Sequence, residues 1–275
     1  MSIAYLNGCF GELDQIRISP LDRGFLFGDG VYEVIPCYGA RVFRLEQHLK
    51  RLETCLASIQ IKNPLSRTAW VELLNDLAKR NNSGDQLLYV QVTRGVAPRD
   101  HAFPDTEPTI FAMSRPWNRN EMPVPAKSIV GVDNRWNRCD IKTISLLGNV
   151  LLRQQAVENA ATENILLRNG HVTEGAASNV FIVVNGEIKT PPRSPFILGG
   201  VTRDAALELA RARGTRIQEC DISEQELRNA DEIWLTSSSM EIKPVIELDH
   251  ARVGGGQPGP VWMEIFAAFR SMTEA

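Results

Sequence analysis

An α+β protein of two domains is what this sequence predicts, and three observations carry the prediction. The chain has 275 residues, long for a single ordinary domain. Short apolar runs broken by Asn-Gly steps stand among longer stretches of helical period. From Pro116 to Pro125 the chain turns polar, with Pro116, Pro123 and Pro125 along it, the composition of a linker. These signals place an N-terminal α/β domain over 1–117, a linker over 118–127 and a β-rich C-terminal α+β domain over 128–275.

Asn7-Gly8 between apolar runs predicts a first hairpin, and Val31 to Val42 a second, turning near Tyr38-Gly39. Leu45, Leu49, Leu52, Leu56 and Ile59 then recur at helical spacing, as do Trp70, Leu73, Leu74 and Leu77, with a stop over Asn81 to Gly84. Leu88, Val90 and Val92 alternate with Leu87, Tyr89 and Gln91 in a strand apolar on both faces, and Thr109 to Met113 is another. Beyond the linker, Asn169-Gly170 and Asn185-Gly186 each separate two short strands. Helices are predicted over Leu146 to Asn159, over Thr202 to Arg213 before Gly214, and over Trp262 to Met272. Gly254-Gly255-Gly256 reads as a flexible loop.

Composition narrows the function classes. Hydrophobic residues at 43% and charged residues at 23% are an ordinary globular balance. A net charge of −3 and a pI near 5.9 give no basic field for nucleic acid or an anionic membrane. The five cysteines are scattered without zinc or redox spacing, which favours a reduced, cytoplasmic protein. The first eight residues lack the pattern of a signal peptide, and no apolar run reaches membrane-spanning length. His48, His101, His171 and His250 offer no metal-ligand spacing, so no metal is expected.

Several residues have chemistry to offer. Lys142 stands in Cys139-Asp140-Ile141-Lys142-Thr143-Ile144, where desolvation would lower its pKa and free its amine for attack on an aldehyde. Taken alone, it is as simply a snorkelling lysine or a partner of Asp140. Glu174, at a strand-to-turn junction, is placed to hold a protonated ring nitrogen or merely to sit solvated in a turn. Gly199-Gly200-Val201-Thr202-Arg203-Asp204 runs from a turn into a helix whose first N–H groups suit a phosphate. Thr202 equally suits an N-cap there, and Asp204 already complements the helix dipole. Thr236-Ser237-Ser238-Ser239 brings hydroxyls to a strand end. Arg99-Asp100-His101 lies on a loop that suits a carboxylate, although Arg99 and His101 face apart unless the loop turns.

In this order these blocks, with Asp22-Arg23-Gly24-Phe25-Leu26-Phe27-Gly28-Asp29-Gly30-Val31-Tyr32-Glu33 and Val172-Thr173-Glu174-Gly175-Ala176-Ala177-Ser178-Asn179, resemble the D-amino-acid aminotransferases of class IV. The resemblance runs from end to end and implies a fold type IV enzyme that uses pyridoxal 5'-phosphate. It implies that Lys142 forms the Schiff base and Glu174 partners the pyridine nitrogen. It gives the phosphate to Arg51, Val201, Thr202, Ser238 and Ser239, and places Arg135 near the ring hydroxyl. Tyr32, Arg99 and His101 match the trap for the substrate α-carboxylate, the Arg99 loop reaching across a homodimer interface. D-alanine and D-glutamate with 2-oxoglutarate or pyruvate are the substrates implied. The chain departs in Asp100, an acid between two trap residues, and in the Gly254–Pro260 stretch. The rival expectations are an L-branched-chain aminotransferase, an aminodeoxychorismate lyase of the same fold, and a non-catalytic cofactor-binding protein.

Overall fold

The chain begins with a two-residue turn at Asn7-Gly8, both at positive φ, which pairs β1 (Ile3–Leu6) with β2 (Cys9–Glu12). The structure, a computed structural model, describes residues 2–39, 41–81 and 84–274. After the hairpin come a short helix α1 (Arg23–Phe27), β3 (Gly30–Tyr38) and β4 (Arg41–Val42). The second hairpin thus forms as predicted around Gly39, while Ala40 lies outside the described residues. Helices α2 (Leu45–Ser58) and α3 (Arg67–Asn81) follow, then β5 (Gln86–Thr93) and β6 (Thr109–Pro116). The predicted stop after α3 includes Asn82 and Ser83, also outside the described residues.

These strands make an antiparallel sheet in the order β2-β1-β6-β5-β3-β4. The apolar stripe of α2 (Leu49, Leu52, Leu56) and that of α3 (Trp70, Leu74, Leu77) pack with Ile35, Leu88 and Val90. Each fully buried side chain of this kind contributes about 1.5–3 kcal/mol. A distant segment completes the unit. Residues 141–146 group with 1–119 because Tyr32 N–H donates to the Lys142 carbonyl at 3.0 Å and Ile144 N–H to that of Gly30 at 3.1 Å.

The second unit comprises residues 120–140 and 147–275. It runs β7 (Ala126–Val132), α4 (Leu147–Glu158), β8 (Glu163–Arg168), β9 (His171–Gly175), β10 (Asn179–Val184) and β11 (Glu187–Thr190). Then come α5 (Val201–Ala212), β12 (Ile217–Glu219), α6 (Glu224–Arg228), β13 (Glu232–Ser237), β14 (Glu241–Leu248), β15 (Ala251–Arg252) and α7 (Pro260–Glu274). Its sheet has the order β12-β11-β10-β13-β14-β7-β8-β9, with β15 paired to β14, and is mixed: β14, β7 and β8 run parallel. Helix α5 packs on β13, β14 and α7.

The predicted helices and both later Asn-Gly hairpins form as expected. Helices α1 and α6 escape periodicity because neither completes two turns. The glycine-rich stretch is not a free loop. Val253 N–H donates to the Ile246 carbonyl and Gly256 N–H to that of Val253, which ties it down as a turn.

Candidate active site

In the first unit the site begins with the alternation of β3. Val31, Glu33 and Ile35 share the buried face, so a carboxylate enters an apolar strand face, while Tyr32 points the other way. Helix α2 answers that carboxylate. His48, Arg51 and Cys55 recur at i, i+3 and i+7 and so lie on one flank. Arg51 donates Nε to Glu33 Oε1 at 2.7 Å and Nη2 to Oε2 at 2.8 Å, and His48 Nδ1 stands 2.8 Å from Oε2. Burial alone would raise the pKa of Glu33, but the Arg51 charge and these hydrogen bonds hold it well below the carboxylate range. Burial likewise pushes His48 below its ordinary value. Arg51 is therefore held in plane by an ionised carboxylate and is not on a solvated helix face.

Cys55 extends the flank to Lys142, whose N–H donates to its Sγ at 3.3 Å. The Lys142 Nζ lies 4.0 Å from the centroid of the Tyr32 ring. A cation over an aromatic face is held there electrostatically. The Asp140 carboxylate pairs with Arg138, leaving the simple Lys142–Asp140 pairing unsupported.

Arg99 and His101 sit on the loop between β5 and β6. That loop turns: Asp100 Oδ1 accepts the N–H of Ala102 at 3.3 Å. Both side chains then converge on one ring, Arg99 with its Cζ 5.0 Å from the Phe27 centroid and His101 with its ring 5.4 Å away. Among the described residues no hydrogen bond, ion pair or ring contact joins Tyr32 to either of them.

The second unit builds its site around Glu174, at the end of β9. It is buried, not a solvated turn residue. Arg135 Nη1 donates to its Oε1 at 2.6 Å, while Nε and Nη2 go to Asp133, each at 3.0 Å. The fourth donation of Arg135 is to the Phe196 carbonyl, so this guanidinium acts as a bracket on Glu174. Glu174 Oε2 accepts from Leu198 N–H at 2.9 Å and Asn179 Nδ2 at 3.2 Å. Burial, with the Asp133 charge nearby, outweighs Arg135 and pushes the Glu174 carboxyl up to about 7.

Asn179 joins Glu174 to the anion-type features. It pairs with Thr236 across β10 and β13. A Cβ on Gly200 would lie 2.0 Å from its Oδ1, so only glycine admits this approach. Gly200 is the N-cap of α5 and no side chain caps the helix; Thr202 stands inside the first turn. The early N–H groups of α5 have no intrahelical acceptor. Asp204 is held by Arg193 at 2.7 Å, which moderates its competition for that end. The Thr236 hydroxyl is buried without a partner, and Ser238 and Ser239 occupy the turn just beyond it.

Glu33, His48, Asp133 and Asn179 were not singled out from the sequence. Glu33 had a signal, a carboxylate on the apolar face of β3, and Asn179 stood unassigned in the Glu174 block.

Comparison with known proteins agrees with this picture. The model of the amino-transferase class IV family matches residues 30–248. The chain is similar to a D-alanine aminotransferase of Staphylococcus haemolyticus, 36% identical across 100% of this chain and 99% of the relative. It is similar to that of Bacillus licheniformis, 38% identical across 96% and 95%. Its fold matches the branched-chain amino acid aminotransferase of Escherichia coli with a TM-score of 0.91, at 26% identity over 98% of this chain and 93% of that one. By its fold type IV architecture and its full-length similarity, the chain belongs to the class IV aminotransferases.

Proposed function

We propose that this protein is a pyridoxal-phosphate aminotransferase exchanging the amino group between small D-amino acids, D-alanine and D-glutamate, and 2-oxo acids. The observation that carries the reading is full-length similarity to D-alanine aminotransferases at 36% and 38% identity. The groups present fit the cofactor. Glu174 is a buried carboxylate with only a share of one arginine, suited to a cationic ring nitrogen. The uncapped start of α5 and the orphaned Thr236 hydroxyl suit an anion near Val201, Thr202, Ser238 and Ser239. Arg51 adds a cation already oriented by Glu33.

When bound, pyridoxal phosphate supplies an aldehyde that condenses with amines and a ring that draws electrons from Cα. Lys142 Nζ would hold the cofactor and, once released as a free amine, would be the base for the Cα proton and, as an ammonium, the acid that returns one. Glu174 retains the proton on the ring nitrogen. Arg51, Val201, Thr202, Ser238 and Ser239 hold the phosphate, and Tyr32, Arg99 and His101 fix the substrate carboxylate. A trap completed by a second copy, hence a homodimer, is part of this reading. The exposed apolar stripe of α4 (Leu147 71%, Val150 58%, Leu151 58%) supports the same assembly. No described helix is long and apolar enough to cross a membrane, and a cytoplasmic location is part of this reading.

One preparation tests the reading. The purified protein should be yellow, borohydride should fix the cofactor to Lys142, and D-alanine with 2-oxoglutarate should turn over faster than L-leucine. Lys142→Ala should lose at least about a hundred- to ten-thousandfold in turnover. Cofactor trapped on another lysine would sink the Lys142 role, and preference for L-leucine would favour the branched-chain rival.

A further inference from the structure

The block Asp22-Arg23-Gly24 carries much of the family resemblance, yet the reading above gives it no task. The structure decodes it residue by residue. Asp22 Oδ1 caps α1 by accepting Gly24 N–H at 2.8 Å. Gly24 allows α1 to lie against β5, since a Cβ there would come within 2.3 Å of Thr93 Cγ2. Arg23, between them, is 3% exposed, and its guanidinium turns to the Arg99 loop. Nη1 donates to the carbonyls of Asp100 at 2.5 Å and Ala102 at 3.3 Å, and Nη2 to that of His101 at 3.4 Å. Nε donates to Asp29 Oδ2 at 2.8 Å.

Asp29 is shared with a second arginine. Arg94 meets it through Nε at 2.8 Å and Nη2 at 3.0 Å, and stacks its Cζ 3.6 Å from the centroid of Phe103, further along the same loop. Asp29 thus aims two guanidinium groups at three carbonyls and one ring of a segment whose residues Arg99 to Phe103 are all exposed. Such a segment has no core of its own to hold it. Phe27, in α1 four residues after Arg23, is the ring on which Arg99 and His101 converge, and the Arg23 Cζ lies 4.8 Å from it.

We propose that Arg23 is a positioning residue for substrate specificity: it clamps the backbone of Asp100, His101 and Ala102 so that Arg99 and His101 are presented together to the substrate α-carboxylate. This rests on the assignment of Arg99 and His101 to that carboxylate. It also accounts for Asp100. With its side chain on Ala102 N–H and its carbonyl on Arg23, Asp100 shapes the turn that brings its neighbours to one side. A planar fork reaching several carbonyls is a task for arginine that an ammonium does not reproduce.

The experiment uses the cofactor-loaded enzyme with Arg23→Lys, which retains a cation beside Asp29, and Arg23→Gln beside it; should Arg23→Gln fail to fold, Arg23→Lys alone decides. Three readouts are compared: KM for D-alanine, turnover of an (R)-amine lacking a carboxylate, and calorimetric binding of propionate, a carboxylate lacking the amine. We expect KM for D-alanine to rise about tenfold, propionate to weaken about as much, and (R)-amine turnover to hold. On an Arg99→Ala background Arg23→Lys should add little, since both act on one trap. Equal losses on D-alanine and the (R)-amine would overturn the proposal, leaving Arg23 a merely structural residue. So would a selective D-alanine defect in Arg99→Ala that Arg23→Lys does not share. If Arg99→Ala itself spares D-alanine, the carboxylate assignment has failed, and the proposal falls with it.

Discussion

Each unit of this protein buries a glutamate against an arginine, and the two pairs behave in opposite ways. Glu33 receives two parallel N–H donors from Arg51 and a third contact from His48, and its carboxyl is held far down. Glu174 receives one N–H from an arginine whose other donors serve Asp133 and the Phe196 carbonyl, and its carboxyl rises to about 7. The ingredients match; the sharing differs. A satisfied buried pair locks a shape, whereas a carboxylate short of positive charge is ready for a cation from outside the protein.

The largest effect that would break this comparison is on stability. Glu33→Ala strands Arg51 in a buried site and should destabilise the protein by about 3–5 kcal/mol in urea unfolding. A loss under about 1 kcal/mol would show that the Glu33 pair is wet and exchangeable.

A second measurement sets the two glutamates against each other through pH, in cofactor-free protein. Glu174 has a folded value raised above its ordinary 4.5, so between pH 4.5 and about 7 the folded state binds more protons than the unfolded. Wild type should therefore lose stability relative to Glu174→Gln as pH rises across that window, by about 3 kcal/mol at most. Glu33 is depressed, so its contribution relative to Glu33→Gln should be full above pH 4.5 and shrink as pH falls below it. Parallel slopes for the two variants would erase the distinction.

The smallest effect concerns turnover. Glu174→Gln removes the charge and keeps the shape, so the protein should still load cofactor and transaminate D-alanine about tenfold or more slower, roughly 1.4 kcal/mol in the barrier. Unchanged kcat would mean that Glu174 does not serve the ring nitrogen.

The elements with strong local signals were legible in advance. Asn7-Gly8, Asn169-Gly170 and Asn185-Gly186 turn where expected, because their positive φ values are a property of the dipeptide. The apolar stripes of α2 and α3 were equally plain. Among candidate site residues, Lys142, Glu174 and Arg51 are singled out by blocks of resemblance, while each taken alone admits an ordinary reading. Glu33 shows the limit: alternation puts it on the buried face of β3, but its partners lie fifteen and eighteen residues away on α2.

By itself, then, the sequence determined the family, the turns and the helical stripes, since these depend on residue type and on neighbours a few positions apart. Tertiary structure alone decided which buried charges are complete. Arg135 is divided between Asp133 and Glu174, thirty-nine residues apart along the chain from the latter, and Arg23 reaches carbonyls seventy-seven to seventy-nine residues away. Electrostatic balance in a low-dielectric interior depends on distances of a few ångströms, and the fold brings those groups together from positions that no local pattern relates.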